Sequence, residues 1–170
     1  MEFQLSVEIL IIAVIFIQVN TFLVYPVIIS ILTNILDKPV DIDPRHEPDV
    51  TVLPAAYNEE RLVEGAVRSI FSTNYPQDKI HVYAGSDGSS DGTIEILQKL
   101  QKEYKNLRIF DFPRSGKNRV LNMMAKEVNT ELIFFLDADC RLQDDSLKRL
   151  VIKFADDEVG AAMAAVKIIS

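Results

Sequence analysis

The stretch ELIFFLDADC, residues 131–140, decides the fold class of this 170-residue sequence. Residues 132–136 are apolar on both faces, which is typical of a strand inside a parallel sheet. Outward from this run, short apolar segments alternate with segments of helical period. The pattern predicts strands over residues 50–53, 80–85, 107–110, 132–136 and 159–169, and helices over residues 59–71, 93–104, 117–128 and 146–154. Alternation of this kind predicts an α/β fold with a mainly parallel sheet covered by helices.

Composition and charge exclude several classes of protein. The 18 Lys and Arg residues face 25 Asp and Glu residues, so no basic field is available and we expect no nucleic-acid partner. Cys140 is the only cysteine and there are two histidines, which excludes an intrachain disulfide and a structural zinc site. The glycines form no G-x-G-x-x-G, and the Gly-Lys pair at residues 116–117 lacks the rest of a P-loop. A dehydrogenase or a P-loop ATPase is therefore disfavoured.

The first 36 residues differ in composition from the rest. Residues 9–36 carry no charge, and as a helix they would reach about 42 Å, against about 30 Å of bilayer hydrocarbon. We predict one transmembrane helix in residues 1–36, irregular near Pro26, then a polar linker over residues 37–49 and a globular domain over residues 50–170. A cleaved signal peptide is the alternative, but the start is acidic and no A-x-A follows. Lys38 and Arg45 flank only the second end, which predicts a membrane protein with its globular domain on the cytoplasmic side.

Polar residues follow the first four predicted strands, whose carboxyl ends meet at one edge of a parallel sheet. Asp137 and Asp139 point to the same side if the strand geometry persists. Two such carboxylates suit Mg²⁺ or Mn²⁺, with phosphate oxygens and water completing the coordination. The alternative is a simple turn in which each Asp accepts hydrogen bonds from loop amides.

Three further positions carry candidate chemistry. Asp87 could accept hydrogen bonds from a base or a ribose, or could instead form an Asx-type turn. Lys117 at a helix N-terminus, together with Arg114, could meet phosphate charge or form a solvated basic turn. Tyr57 offers a ring face for stacking, although an exposed loop tyrosine often has no specific role.

Four ordered motifs resemble family 2 of the glycosyltransferases, the inverting nucleotide-sugar enzymes with the A-type fold. They are VTVLPAAYNEE (50–60), NYPQDKIHVYAGSDGSSDGT (74–93), RSGKNRVLN (114–122) and ELIFFLDADC (131–140). The resemblance implies a Rossmann-like nucleotide-sugar-binding sheet, incomplete in this chain. It implies that Tyr57 and Asp87 bind the base and that Lys117 approaches the diphosphate. The full set it implies is Tyr57, Glu59, Asp87, Lys117 and Asp137 for the nucleotide sugar, with Asp137 and Asp139 for the metal.

The resemblance also implies a reaction: transfer of a sugar, with inversion, from a nucleotide-diphosphate sugar to an unknown polysaccharide or lipid acceptor. Uridine is the expected base. No catalytic residue is identified, because the general base and the acceptor half are expected beyond Ser170. A noncatalytic, membrane-tethered module that binds a nucleotide sugar or pairs with another subunit is the alternative. A Mg²⁺-dependent phosphatase is disfavoured, because Arg141 stands where that class usually has Thr or Val.

Overall fold

The computed structural model describes residues 2–36 and 38–164. The chain divides into two compact units, Met1–Val40 and Asp41–Ser170, which we call the helical unit and the sheet unit. The boundary between them falls inside the predicted linker of residues 37–49.

The helical unit is one long apolar helix with a wider turn in its middle. It comprises α1 (Glu2–Val19), a π-helical turn (Asn20–Val24) and α2 (Tyr25–Leu36). The N–H of Tyr25 donates to the carbonyl of Asn20, and Pro26, which follows, has no N–H to donate. The irregularity predicted near Pro26 thus takes the form of a π-helical turn that ends two residues before it. The span Gln4–Leu36 reaches a mean hydropathy of 2.4, and it is long and apolar enough to cross a membrane.

The sheet unit is built on four parallel strands in the order β3-β2-β1-β4. Val50 of β1 lies opposite Ile80 of β2 on one side and opposite Leu132 of β4 on the other. Helices follow the strands in alternation, which confirms the predicted α/β fold. The elements are β1 (Val50–Ala56), α3 (Val63–Phe71), β2 (Ile80–Asp87), α4 (Thr93–Glu103), β3 (Leu107–Phe112), α5 (Lys117–Ala125), β4 (Leu132–Asp137) and α6 (Ser146–Val151).

Helices pack on both faces of the sheet because successive strand residues point to opposite sides. Val52 belongs to a core shared with buried residues of α3, α4 and α6. Its neighbour Leu53 packs instead with Val120 and Met124 of α5. On β4 every second side chain is exposed to solvent, and that of Phe135 is 64% exposed. The sheet is therefore fully covered only around its central strands.

Each of the four described strands is longer than the sequence predicts. Each of the four helices of the sheet unit is shorter than predicted. The helix predicted from residue 59 begins at Val63, because the amides of Leu62 and Val63 first close a turn on the carbonyl of Glu59 at 3.0 and 2.9 Å. The helix predicted to residue 128 ends at Ala125, where the amide of Glu127 bonds three residues back to Met124 at 3.0 Å. The helix predicted to residue 154 becomes a 3₁₀ turn after Val151, over Ile152–Ala155.

The strand predicted over residues 159–169 is wrong in its described part. Residues 159–164 have no regular secondary structure. Asp156 forms a turn there, since its carboxylate accepts the N–H of Glu158 at 2.9 Å and its carbonyl accepts that of Val159 at 3.0 Å. Residues 165–169 of that prediction lie outside the described residues.

Residues 41–49, predicted as linker, bond to the rest of the sheet unit. The Tyr75 hydroxyl donates to the carbonyl of Pro48 at 2.6 Å. Glu47 accepts from Lys79 through its carbonyl at 2.5 Å and from Lys148 through its carboxylate at 3.1 Å. This segment is therefore held in place where it enters β1.

Candidate functional site

A cleft of about 340 Å³ opens at the carboxyl ends of β1, β2 and β4. The chain leaves β1 for β2 on one side and later reaches β4 on the other, and ligand crevices of open parallel sheets form at such a reversal. All six residues that the sequence names as nucleotide-sugar or metal ligands line this one space. The lining residues are Ala55, Ala56, Tyr57, Glu59, Asp87, Arg114, Lys117, Asp137, Ala138 and Asp139.

Asp87, the last residue of β2, is a buried carboxylate whose side chain is only 3% exposed. Its Oδ1 accepts the amides of Ser115 at 2.6 Å and Gly116 at 3.0 Å, and its Oδ2 pairs with Nη1 of Arg114. Burial alone would raise the pKa of this carboxyl. The amides of Ser115 and Gly116 and the charge of Arg114 outweigh burial and hold the pKa below its ordinary value of 3.8. Asp87 is therefore ionised at neutral pH and fixes the loop before α5.

Arg114 also lies against Tyr57 at the end of β1. Its guanidinium carbon is 3.4 Å from the centroid of the tyrosine ring, and both side chains remain about half exposed, Arg114 at 57%. A guanidinium on a ring face is attracted by the ring quadrupole. One arginine thus joins the loop after β1, through Tyr57, to the end of β2, through Asp87.

The loops after β1 and β2 are tied together by polar bonds. Asn58 sits in the left-handed region at φ 54°, its amide donates to Ser89 Oγ at 3.1 Å, and its Oδ1 accepts the amide of Ser90 at 2.9 Å. Glu59, which lines the cleft, donates its amide to Oγ1 of the buried Thr93 at 2.9 Å. Tyr57 is therefore carried by a loop that is fastened at Asn58 and at Glu59.

Lys117 and Asp137 form an ion pair across the cleft, and their side chains are 51% and 54% exposed. Lys117 is the first residue of α5 and follows Gly116, whose φ of 94° is a backbone conformation that favours glycine. Asp137 is the last residue of β4. The pair thus joins the start of a helix to the end of the neighbouring strand.

The two acids at the end of β4, Asp137 and Asp139, differ in their partners. Asp139 is exposed and lines the cleft with Asp137, and Ala138 between them is buried. Burial raises the pKa of the adjacent Cys140 thiol, and the negative charges of Asp139 and Asp137 raise it further. Asp137 pairs with Lys117, whereas no Lys or Arg among the described residues forms a salt bridge with Asp139.

The chemistry of these donors suits a hard divalent cation, although they make an incomplete site. Over residues 2–36 and 38–164, no three His, Cys, Asp or Glu side chains gather as a ligand group. Two carboxylates are nevertheless enough for Mg²⁺, which is commonly held by one or two carboxylates and completed by water and substrate phosphates. Asp137 and Asp139 therefore fit such an ion once phosphate oxygens are present.

The sequence does not reveal how Arg114 and Asp87 are joined. A phosphate-binding role for Arg114 is a prediction from its place two residues before a Gly-Lys pair, whereas its packing on Tyr57 depends on a residue 57 positions away. The hydrogen bonds from the Ser115 and Gly116 amides to the Asp87 carboxylate likewise depend on the tertiary fold. The only sequence signal for them is that Asp87 lies in a loop flanked by glycines, Gly88 and Gly92 among them.

The sequence model described as Glycosyl transferase family 2 matches residues 51–170. The chain belongs to glycosyl transferase family 2. It is 34% identical over 117 residues to beta-monoglucosyldiacylglycerol synthase of Trichormus variabilis, which covers 67% of this chain and 25% of that protein. It is 34% identical over 98 residues to poly-beta-1,6-N-acetyl-D-glucosamine synthase of Staphylococcus epidermidis, covering 57% of this chain and 23% of that protein. The family 2 chain thus spans about a quarter of the length of these relatives.

Two solved structures confirm the A-type glycosyltransferase fold. The mannosyltransferase PcManGT from Pyrobaculum calidifontis, in complex with GDP-Man and Mn²⁺, superposes with a TM-score of 0.75 at 29% identity, covering 86% of this chain and 44% of that one. S. aureus TarS 1–349 in complex with UDP-GlcNAc gives a TM-score of 0.56 at 24% identity, covering 59% of this chain and 29% of that one. At this identity the likeness to TarS concerns the fold alone.

Proposed function

We propose that the sheet unit binds a nucleotide-diphosphate sugar, UDP-linked, and a divalent metal for an inverting glycosyltransferase with a polysaccharide or lipid acceptor. The cleft carries this proposal, because an aromatic ring, a buried carboxylate, two cations and two exposed carboxylates meet there. The names of the two relatives above support both acceptor classes, since one makes a glucosyl lipid and the other a polysaccharide.

The Tyr57 side of the cleft is the proposed base site. Tyr57 offers a ring and Arg114 a guanidinium, two groups against which a base stacks favourably. Both oxygens of Asp87 accept hydrogen bonds from residues 114–116. Asp87 therefore contributes to base binding by holding Arg114 and its loop in position.

The Lys117 side of the cleft is the proposed diphosphate site. Lys117 brings an ammonium group to the start of α5, where backbone amides also favour an anion. Asp137 and Asp139 would hold Mg²⁺ or Mn²⁺, and such an ion supplies positive charge that stabilises the leaving diphosphate. Glu59 lines the same cleft and is proposed to contact the nucleotide sugar.

The proposed transfer breaks the bond between the anomeric carbon and the diphosphate and forms one bond to an acceptor oxygen, with inversion. Lys117 donates hydrogen bonds to the diphosphate as it leaves, and the acceptor proton passes to a general base. We assign no described cleft residue to that role. The base and the acceptor site are proposed to lie beyond Ser170, in keeping with the quarter of the relatives' length that this chain spans.

The helical unit is the proposed membrane anchor, with the sheet unit in the cytoplasm. Its support is the apolar span Gln4–Leu36, which is followed by Lys38 and Arg45. Protease treatment of inverted and right-side-out vesicles tests the orientation. We expect cleavage of the sheet unit only in inverted vesicles, and cleavage only in right-side-out vesicles contradicts it.

Calorimetric titration of UDP and of GDP against the full chain in detergent, with Mn²⁺, tests the donor site. We expect UDP to bind, Asp139→Asn to lose most of the affinity, and Asp111→Asn, which changes an exposed acid of β3 outside the cleft, to match the wild type. Tighter binding of GDP would correct the base, and binding of neither nucleotide would overturn the donor site.

A further inference from the structure

Lys117 and the expected metal share one ligand. The ammonium of Lys117 contacts Oδ1 of Asp137, one of the two carboxylates that would hold a divalent cation. Without a nucleotide, the lysine thus neutralises half of the negative charge of this pair of acids. A cation approaching Asp137 therefore meets an ammonium that already occupies one of its two oxygens.

The ammonium group of Lys117 can move away from Asp137 while the backbone of the lysine stays in place. Its backbone is fixed, because Asp87 holds the amide of Gly116 directly before it. Its side chain is half exposed, and the lysine stem is a flexible four-carbon chain. Ion pairs between exposed side chains are weak, so a stronger anion nearby can draw the ammonium away.

We propose that Lys117 is an internal counter-ion that couples metal binding to nucleotide binding. In the free protein it pairs with Asp137 and weakens the binding of the metal alone. When a diphosphate enters, the ammonium moves to the phosphate oxygens and Asp137 becomes free for the metal. This inference rests on the proposed donor site and adds a coupling between its two ligands.

Such coupling is reciprocal, since each ligand changes the affinity of the other by the same factor. Removing the ammonium therefore has opposite effects on the two ligands. Mn²⁺ alone binds more tightly because its competitor is gone, whereas UDP alone binds less tightly because a cation is missing. The factor by which UDP strengthens Mn²⁺ binding becomes smaller.

Titration of the full chain in detergent with Mn²⁺, followed by the electron paramagnetic resonance of the free ion, tests the inference without any activity assay. In Lys117→Gln we expect the Kd for Mn²⁺ alone to fall about threefold, the effect of losing one exposed ion pair. Lys117→Arg keeps the charge and should retain the wild-type Kd. Lys126→Gln, an exposed lysine just past the other end of α5, is the matched control and should leave the Kd unchanged.

The outcomes separate the two proposals. If UDP binds with Mn²⁺ but Lys117→Gln leaves the Kd for Mn²⁺ alone unchanged or higher, the counter-ion role is wrong and the donor site stands. If wild-type protein binds no Mn²⁺ even with UDP or GDP present, the metal site and the counter-ion role are both wrong. A lower Kd in Lys126→Gln as well would show a general effect of charge and would also overturn the role of Lys117.

Discussion

The guanidinium of Arg114 lies 3.4 Å from the centre of the Tyr57 ring, and the same guanidinium pairs with the buried carboxylate of Asp87. The ends of β1 and β2 are thereby joined through a residue of the loop before α5. Because a carboxylate and a ring face both attract the guanidinium, its position is fixed from two sides. Arg114 is therefore part of the wall of the cleft.

Replacing Arg114 tests its part in the proposed base site. Arg114→Ala should weaken UDP binding about tenfold, because a charge-assisted contact is lost and the loop loses its link to Tyr57. Calorimetry with Mn²⁺ present measures this. Arg108→Ala is the matched control, since Arg108 also lies over a ring, 4.9 Å from Tyr83, but outside the cleft. Equal losses in both variants would contradict a specific role for Arg114.

The ring of Tyr57, rather than its hydroxyl, should carry its contribution. Tyr57→Phe keeps the stacking surface and should bind UDP as the wild type does. Tyr57→Ala should lose about 1 kcal/mol of binding free energy, the lower end for stacking of a base on an aromatic side chain. Calorimetry compares the two. If Phe is as damaging as Ala, the hydroxyl is the important group.

Acidification should remove the stabilisation that Asp87 provides. The pKa of this carboxyl is lowered in the folded protein, because the Ser115 and Gly116 amides and Arg114 outweigh burial. Its contribution to stability is therefore full above the ordinary pKa of 3.8 and is lost as the pH falls through the folded-state value. Asp87→Asn should lower the melting temperature of the full chain at pH 7, with a difference from wild type that shrinks below about pH 4. A difference independent of pH would contradict this.

The loop after β2 needs glycine at position 88. Gly88 has φ +68°, and a Cβ there would lie 2.6 Å from the backbone nitrogen of Arg114. Gly88→Ala should cost about 2 kcal/mol or more, since left-handed backbone is unfavourable for alanine and the nearby backbone cannot easily yield. Thermal unfolding of the full chain measures the loss. Gly160→Ala, where a Cβ meets nothing within 4 Å, should be close to neutral. A neutral Gly88→Ala would show that the loop can move away from Arg114.

The sequence predicts the four strands of the described sheet and their parallel arrangement, because short apolar runs and segments of helical period depend on local chemistry alone. The short β-branched run from which β1 is predicted stops at residue 53, and Pro54 after it has no N–H for a ladder. The strand continues to Ala56 because its pairing with β4 is continuous, with Pro54 opposite Leu136, whereas its pairing with β2 is interrupted at Leu53 and Pro54 and resumes at Ala55. Pairing between distant strands thus overrides the local break.

The sequence predicts which residues form the candidate site, but not which hydrogen bonds and ion pairs their side chains make. Parallel topology alone brings Asp87, Asp137 and Asp139 to the carboxyl edge of the sheet. The partners of these acids depend on the loop before α5, and the sequence does not specify the path of that loop. The ion pair of Lys117 with Asp137 and the burial of Asp87 follow from that path.

The hydrogen bonds of Asn58 to Ser89 and Ser90 have a mechanical consequence. The two loops that they join cannot shift independently, so any ligand that presses on Tyr57 also displaces the start of the segment leading into α4. A substitution at Ser89 would remove the hydroxyl that accepts the Asn58 amide; Ser89 is not among the residues that line the cleft, yet its loss would change the rigidity of the wall that carries Tyr57.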